Sequence, residues 1–315
     1  MKSFTFYSDC DFEALLENAS NGDYEALVQF DLYTMVWELS EEQLQRLAFW
    51  VGVRSWETSA LIFLKAKQCL MEERYQKALL LFREVLRDEH LAELAQYHIG
   101  NMYYYGQGVD PSDEIAFSLF EKSANQGYAP AINSVASMYY NGRRVEEDQQ
   151  EAFRLYHKAA QQGYALALFN LGCMHYYGHG TQQNLLQAYR CWYEAAQQGF
   201  ADALLHLGFM YCHGRGVPKD YKKAFKYVKQ AAAQGHASAQ QDLAFFYMQG
   251  LGTSVDCTLA AWYYGAAYKR LSGERKAQCE FQMKELESQL NLSHPEGRKA
   301  LYYLYEGRGT MQIVV

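Results

Sequence analysis

Proline is scarce, with four in 315 residues, and cysteine follows no plan. The seven cysteines, at 10, 69, 173, 191, 212, 257 and 279, are odd in number and irregular in spacing. No disulfide framework and no CxxC zinc pattern runs through them, so a reducing compartment, the cytoplasm, is the simpler reading. Positive charge is also short: 29 Lys and Arg face 36 Asp and Glu, a formal net charge of -7. That removes a whole-chain electrostatic case for nucleic acid or an acidic membrane. Long apolar runs are missing too. The most apolar early stretch, LQRLAFWVGVRSWETSALIFL, is broken by Arg46, Arg54 and Glu57, so no integral membrane segment is expected. The opening MKSFTFYSDCDFEALLE has no apolar core before a small-residue cleavage site, and no secretory leader is expected. Export by a specialised route stays open, because such signals are not legible in sequence.

Tyrosine and phenylalanine are abundant, 27 and 17, in a globular composition that is 50% hydrophobic and 21% charged. Three of the tyrosines stand together in NMYYYGQGV at 101–109. A lone Gly-x-Gly is a weak phosphate signal unless a strand precedes it and a helix follows. Here the stretch recurs: AQYHIGNMYYYGQGV, AINSVASMYYNGRRV, ALFNLGCMHYYGHGT, ALLHLGFMYCHGRGV and AQQDLAFFYMQGLGT start at Ala95, Ala131, Ala167, Ala203 and Ala239. The 36-residue period marks a stacked repeat and argues for framework over phosphate cradle.

Each unit reads as two helices. In the first, Gly100, Ala136, Gly172, Gly208 and Ala244 form a column of small residues that lets a partner helix approach. Gly106, Gly142, Gly178, Gly214 and Gly250 stand where a left-handed C-terminal cap belongs. The second helix opens at Ser112, Asp148, Asn184, Asp220 and Asp256, all good N-caps. Glu151 and Gln187, three residues later, are expected to close capping boxes. Within that helix an alanine column (116, 152, 188, 224, 260) is followed by a bulky one: Phe120, Tyr156, Trp192, Val228 and Tyr264. A second loop glycine at 108, 180, 216 and 252 keeps the connection tight; Arg144 holds that slot in the second unit.

The segment ALLHLGFMYCHGRGVPKDYKKAFKYVKQAAAQG at 203–235 resembles the Sel1-like repeat family, relatives of the tetratricopeptide repeat. The resemblance covers roughly 95–271. It implies an all-α fold, a right-handed α-α superhelix of helix-turn-helix repeats, used as an adaptor or scaffold in protein complexes. One secreted branch staples each repeat with a regularly spaced cysteine pair, which this chain lacks. Residues 1–94 read as diverged repeats capping the N-terminal end. ASNGDYEALVQF at 19–30 aligns with AAQGHASAQQDL at 232–243, and Ala78 falls in the alanine column; 40–68 is helical by pattern but out of register. Residues 272–315 read as a capping helix, with Cys279, Met283, Leu286 and Leu290 on one stripe. Pro295 and Gly297 end it, and an apolar tail folds back or meets a partner.

The resemblance also implies that first helices line a concave face. Three columns point into it: Tyr97, Asn133, Phe169, Leu205 and Gln241; Asn101, Ser137, Cys173, Phe209 and Phe245; and Tyr104, Tyr140, Tyr176, Cys212 and Met248. The column of Tyr103, Tyr139, Tyr211 and Tyr247, with His175 in the third unit, reads as packing instead. Aromatic-biased, variable positions suit a groove for a protein or peptide partner, because rigid aromatic rings are common binding hot spots; packing against the next repeat is the alternative for each ring.

Cys173, His175, His179, Cys212 and His213 are the one group that could hold zinc or serve Cys–His catalysis. Their columns differ and no oxyanion site is marked, so neither an enzyme nor a cofactor is expected. The run Lys219, Lys222, Lys223, Lys226 and Lys229 reads as a solvated outer face, with an acidic partner or a membrane surface as alternatives. Asn18-Ala-Ser and Asn291-Leu-Ser match the glycosylation triplet but mean little without a leader. The leading reading is a monomeric, non-enzymatic interaction module. Signalling scaffold, host-directed effector and toxin-immunity protein all fit it.

Overall fold

A computed structural model describes residues 9–21, 23–36, 43, 59–291 and 294–308. Among the described residues there are sixteen α-helices and no strand, in two compact units, Met1–Gln183 and Asn184–Val315. From Ser59 onward, successive helices within each unit pack against one another, as an α-α repeat fold requires.

The first unit holds α1 (Asp9–Ser20), α2 (Tyr24–Val36), α3 (Ser59–Met71), α4 (Tyr75–Val85), α5 (Ala92–Tyr105), α6 (Asp113–Asn125), α7 (Ala129–Asn141), α8 (Gln149–Gln161) and α9 (Ala165–Tyr177). The helix ends follow from the caps. Gly106, Gly142 and Gly178 stop α5, α7 and α9 in the left-handed region, with φ of 69°, 61° and 77°. The Ser112 side chain accepts from Ile115 N–H, and the Asp148 side chain from Gln150 and Glu151 N–H. The capping boxes do not form. The Glu151 carboxylate is taken by Arg154, which donates to it at 2.8 and 2.6 Å. The Asp148 N–H, which the box would satisfy, instead donates to Tyr139 O at 3.0 Å, and Ser112 N–H likewise to Tyr103 O. The hairpin loop closes on the carbonyl of the packing-tyrosine column, so the orphan donor is already spent. Gln187 makes no side-chain return bond to its cap among the described residues.

The small and bulky columns meet as drawn. A Cβ on Gly100 would stand 2.7 Å from the Phe120 ring. A second junction joins consecutive hairpins. Phe117 meets Tyr139 edge-on at 6.1 Å and 75°, and Phe153 meets His175 at 5.2 Å and 87°. Nearer the N-terminus, Ala19, Ala26 and Ala78 are buried and Phe12 packs against Phe30. Gly22, and the out-of-register stretch up to residue 58 apart from Gln43, lie outside the described residues; 59–68 belongs to α3.

The second unit holds α10 (Leu185–Gln197), α11 (Ala201–His213), α12 (Tyr221–Ala233), α13 (Ala237–Gln249), α14 (Cys257–Tyr268), α15 (Gly273–Gln289) and α16 (Pro295–Arg308). Asn184, Asp220 and Asp256 each cap the helix that follows. The edge-on junction recurs between Tyr189 and Tyr211 at 85° and between Phe225 and Tyr247 at 88°. Cys279, Met283 and Leu286 of α15 are buried. The tail departs from expectation. Pro295 opens a further helix, where its fixed φ and missing N–H cost nothing in a first turn. Ala300 and Leu304 are fully buried, and α16 packs on α14. Residues 309–315 lie outside the described residues. Among those described, no helix is long and apolar enough to cross a membrane.

Candidate partner-binding face

The C-terminal ends of α5, α7 and α9 gather rings in the first unit. Tyr104 lies under the Arg143 guanidinium, 4.0 Å from its carbon to the ring centroid. Arg143 donates from Nε and Nη2 to both Asp113 oxygens, at 2.9 and 2.6 Å, so the plane above Tyr104 is held. Tyr105 meets Tyr104 edge-on at 4.9 Å and is 67% exposed. Tyr176 and Tyr177 repeat that arrangement at 4.9 Å, with Tyr177 58% exposed. The Tyr140 hydroxyl meets His179 Nδ1 at 2.7 Å, and Tyr177 stacks on the same imidazole at 5.5 Å. Burial pushes the half-buried Tyr140 phenol up, so it stays a protonated donor at neutral pH.

The three columns divide by depth. Tyr97, Asn133, Tyr176, Leu205, Gln241 and Met248 are buried. Tyr97 packs among His98, Phe120 and Tyr128, and burial pushes its phenol up to about 12. Asn133 accepts from Asn170 Nδ2 at 3.0 Å. Gln241 donates to Gln282 Oε1 at 2.8 Å and accepts from Arg275, so α15 lies over it. Asn101, Tyr104, Ser137, Tyr140, Phe169, Cys173, Cys212 and Phe245 are half-buried, and Phe209 is exposed beside His213. Tyr105 and Tyr177, the most solvent-facing rings of the face, stand outside the expected columns. A helix turns about 100° per residue, so the neighbour of a half-buried ring at a helix end points outward. The junction column Phe117, Phe153, Tyr189 and Phe225 was visible as another series at the same period.

The Cys/His group is put to packing. His179 is held by Tyr140. The His175 ring sits against Phe153 with Nδ1 unbonded, and burial holds its pKa down. His213 Nδ1 bonds Phe209 O at 3.0 Å. Burial raises the Cys212 thiol and pushes Cys191 up to about 12, away from the thiolate a nucleophile needs. Among the described residues no three His, Cys, Asp or Glu side chains cluster as metal ligands would, and the six cysteines whose side chains are described are unbridged.

Five consecutive segments, 93–128, 129–164, 165–200, 201–236 and 237–270, match the Sel1 repeat and together make up more than half of the sequence. The chain belongs to the Sel1 repeat family. A Sel1 repeat protein from Oxalobacter formigenes has a similar structure, with 27% identity and a TM-score of 0.60 over 81% of this chain and 98% of that one. Another similar structure is c5321, a protective antigen present in uropathogenic Escherichia coli strains and displaying an SLR fold. It is 21% identical with a TM-score of 0.62, over 86% of this chain; the chain spans 56% of that protein, and the likeness concerns the fold. Among curated proteins none matches. Sel1 repeat proteins typically serve as protein–protein interaction scaffolds, and the face just described presents Tyr105 of the first repeat and Tyr177 of the third to solvent.

Proposed function

We propose that this Sel1 repeat protein is a monomeric, non-enzymatic cytoplasmic adaptor that holds a protein or peptide partner against the aromatic face of its first repeats. The observation carrying this reading is the set of outward rings Tyr105 and Tyr177, each braced edge-on by a neighbour that is itself held. Large rings with little freedom to lose on binding suit a hot spot. Asn101, Tyr104, Ser137, Tyr140, Phe169 and Cys173 flank them as contact residues, and Phe209 and Phe245 serve similarly in the second unit. Tyr97, Asn133, Tyr176, Leu205 and Gln241 support these from behind.

The test is affinity capture from native lysate with wild type and with a Tyr105→Ala, Tyr177→Ala variant. Both side chains are mostly solvated, so helix content by circular dichroism is expected to stay unchanged. A stoichiometric partner of wild type is expected to bind the variant about 30-fold more weakly, the equivalent of a ~2 kcal/mol hot spot. Equal capture by both proteins would remove the aromatic face from the reading.

A further inference from the structure

The outer side of the second unit carries a different chemistry. Residues 184–315 hold 15 Lys and Arg against 11 Asp and Glu, whereas residues 1–183 hold 14 against 25. The excess is concentrated on α12. Lys222, Lys226 and Lys229 follow one another at helical spacing on the exposed side, opposite the buried Ala224, Val228 and Ala231. One repeat earlier, α10 presents Leu186, Arg190 and Tyr193 at the corresponding positions, all exposed. Rings join the two helices. Tyr193 stacks on Tyr189, and the Tyr189 hydroxyl meets the Tyr211 hydroxyl at 3.1 Å. Tyr211 stacks on Tyr227 of α12, with Lys223 Nζ 5.2 Å from the Tyr211 centroid.

The fold uses only part of this charge. Lys219, Lys223 and Lys229 lie over aromatic rings, and Lys223 is 3.8 Å from Asp220. Among the described residues Arg190, Lys222 and Lys226 form no ion pair. Asp220 is spent on the helix cap, α12 itself carries no acid, and α10 carries one, Glu194, four residues after Arg190. Like charges four apart on a helix repel, so Lys222 and Lys226 carry a local cost with no internal return. A bound anion relieves it.

We propose that the exposed side of α10 and α12 is a docking surface for a short acidic protein segment. Its carboxylates would pair with Arg190, Lys222 and Lys226, and its apolar side chains would rest on Leu186 and Tyr193. The size of the occupant follows from charge. The chain as a whole is at -7, so an extended anionic plane or a long polyanion meets net repulsion. A short segment feels only the charges within a Debye length, about 8 Å at physiological salt.

The experiment uses the full chain and a labelled short peptide of alternating Glu and Leu, read by fluorescence anisotropy. A Gln-for-Glu version of the peptide, phosphatidylserine vesicles and a short single-stranded oligonucleotide are run beside it. Wild type is expected to bind the Glu peptide, to lose at least tenfold in affinity between low and high salt, and to ignore the Gln peptide. The Lys222→Glu, Lys226→Glu variant, with unchanged circular dichroism, is expected to lose at least tenfold. The milder Lys222→Gln, Lys226→Gln pair should fall between. Lys158→Glu in the first unit and the Tyr105→Ala, Tyr177→Ala variant are expected to leave binding intact, which separates this surface from the aromatic face. Undiminished binding by the Lys222→Glu, Lys226→Glu variant would overturn the proposal. So would a stronger Lys222- and Lys226-dependent preference for the vesicles or the oligonucleotide, or salt-sensitive self-association of wild type abolished by the same pair.

Discussion

Asp31→Asn is expected to cost the first unit about 3–5 kcal/mol, the usual cost of breaking a buried ion pair from one side. Asp31 is fully buried. Its Oδ1 receives Lys67 Nζ and His98 Nε2, each at 2.7 Å, and its Oδ2 accepts from the Tyr128 hydroxyl. Lys67 and His98 are 5% and 4% exposed. One carboxylate therefore ties α2 to α3, to α5 and to the residue that opens α7. Asparagine keeps the shape but removes the charge, and the Lys67 ammonium is left buried without a counter-ion.

The ionic environment also fixes the pH response. Burial works against the Asp31 carboxylate, but the Lys67 ammonium and the bonds received from His98 and Lys67 outweigh it and hold the carboxyl far below the usual carboxylate range. Its stabilising contribution is present above the unfolded pKa, about 3.9, and is lost as pH falls toward the depressed folded value. His98 is held down by burial. Once pH drops below about 6.5, unfolded His98 takes a proton that the folded ring refuses, so stability erodes there first. Urea unfolding by circular dichroism, with hydrogen exchange to locate the loss in α2 to α5, measures both effects. A loss under about 1 kcal/mol would mean the cluster is ornamental. Adding Lys67→Met to Asp31→Asn should recover much of the loss, because a buried pair replaced by neutral groups is often near neutral in cost.

This cluster was invisible in the sequence, and the reason is physical. The 36-residue period reports interactions that every repeat needs: a left-handed glycine, an N-cap, a small column under a bulky one. Those positions were legible because each is a local demand repeated five times. Asp31 and Lys67 lie in diverged helices ahead of the regular repeats. His98 lies in the first repeat, in a column that also holds Ser134, Asn170, His206 and Asp242, and only the packed chain brings the three together. The candidate face was legible in the same partial way. Column alignment identifies the helix side that Tyr104, Tyr140 and Tyr176 occupy. It does not give depth, and Tyr176 is buried whereas its neighbour Tyr177 is not. The capping box failed for a related reason. Glu151 has the right spacing, but Arg154 three residues on and the Tyr139 carbonyl across the loop are better partners.

Gly180→Ala is expected to cost about 2–5 kcal/mol, much more than Gly163→Ala in the same repeat stack. Both glycines sit in the left-handed region, at φ of 63° and 83°, so alanine at either pays the backbone strain of about 1–2 kcal/mol. They differ in what a Cβ would meet. At Gly163 nothing lies within 4 Å, whereas at Gly180 the Cβ would fall 2.0 Å from the backbone oxygen of Gln149, the first residue of α8. Backbone cannot swing aside as a side-chain tip can, so overpacking adds its own 1–3 kcal/mol. The same approach recurs in the second unit, where Gly252 would meet Tyr221 O, the first residue of α12, at 2.2 Å. The loop glycine therefore seats one hairpin on the start of the preceding second helix, besides tightening its own turn. Arg144 shows how the contact survives without glycine. It keeps φ at 70°, and its loop reaches the first turn of α6 through charge: Arg143 binds Asp113, and Arg144 binds Glu114 at 3.0 Å. Thermal or urea unfolding of the two alanine variants decides the matter. Equal losses would mean that backbone strain is the whole cost and that the hairpins are seated by their aromatic junctions alone.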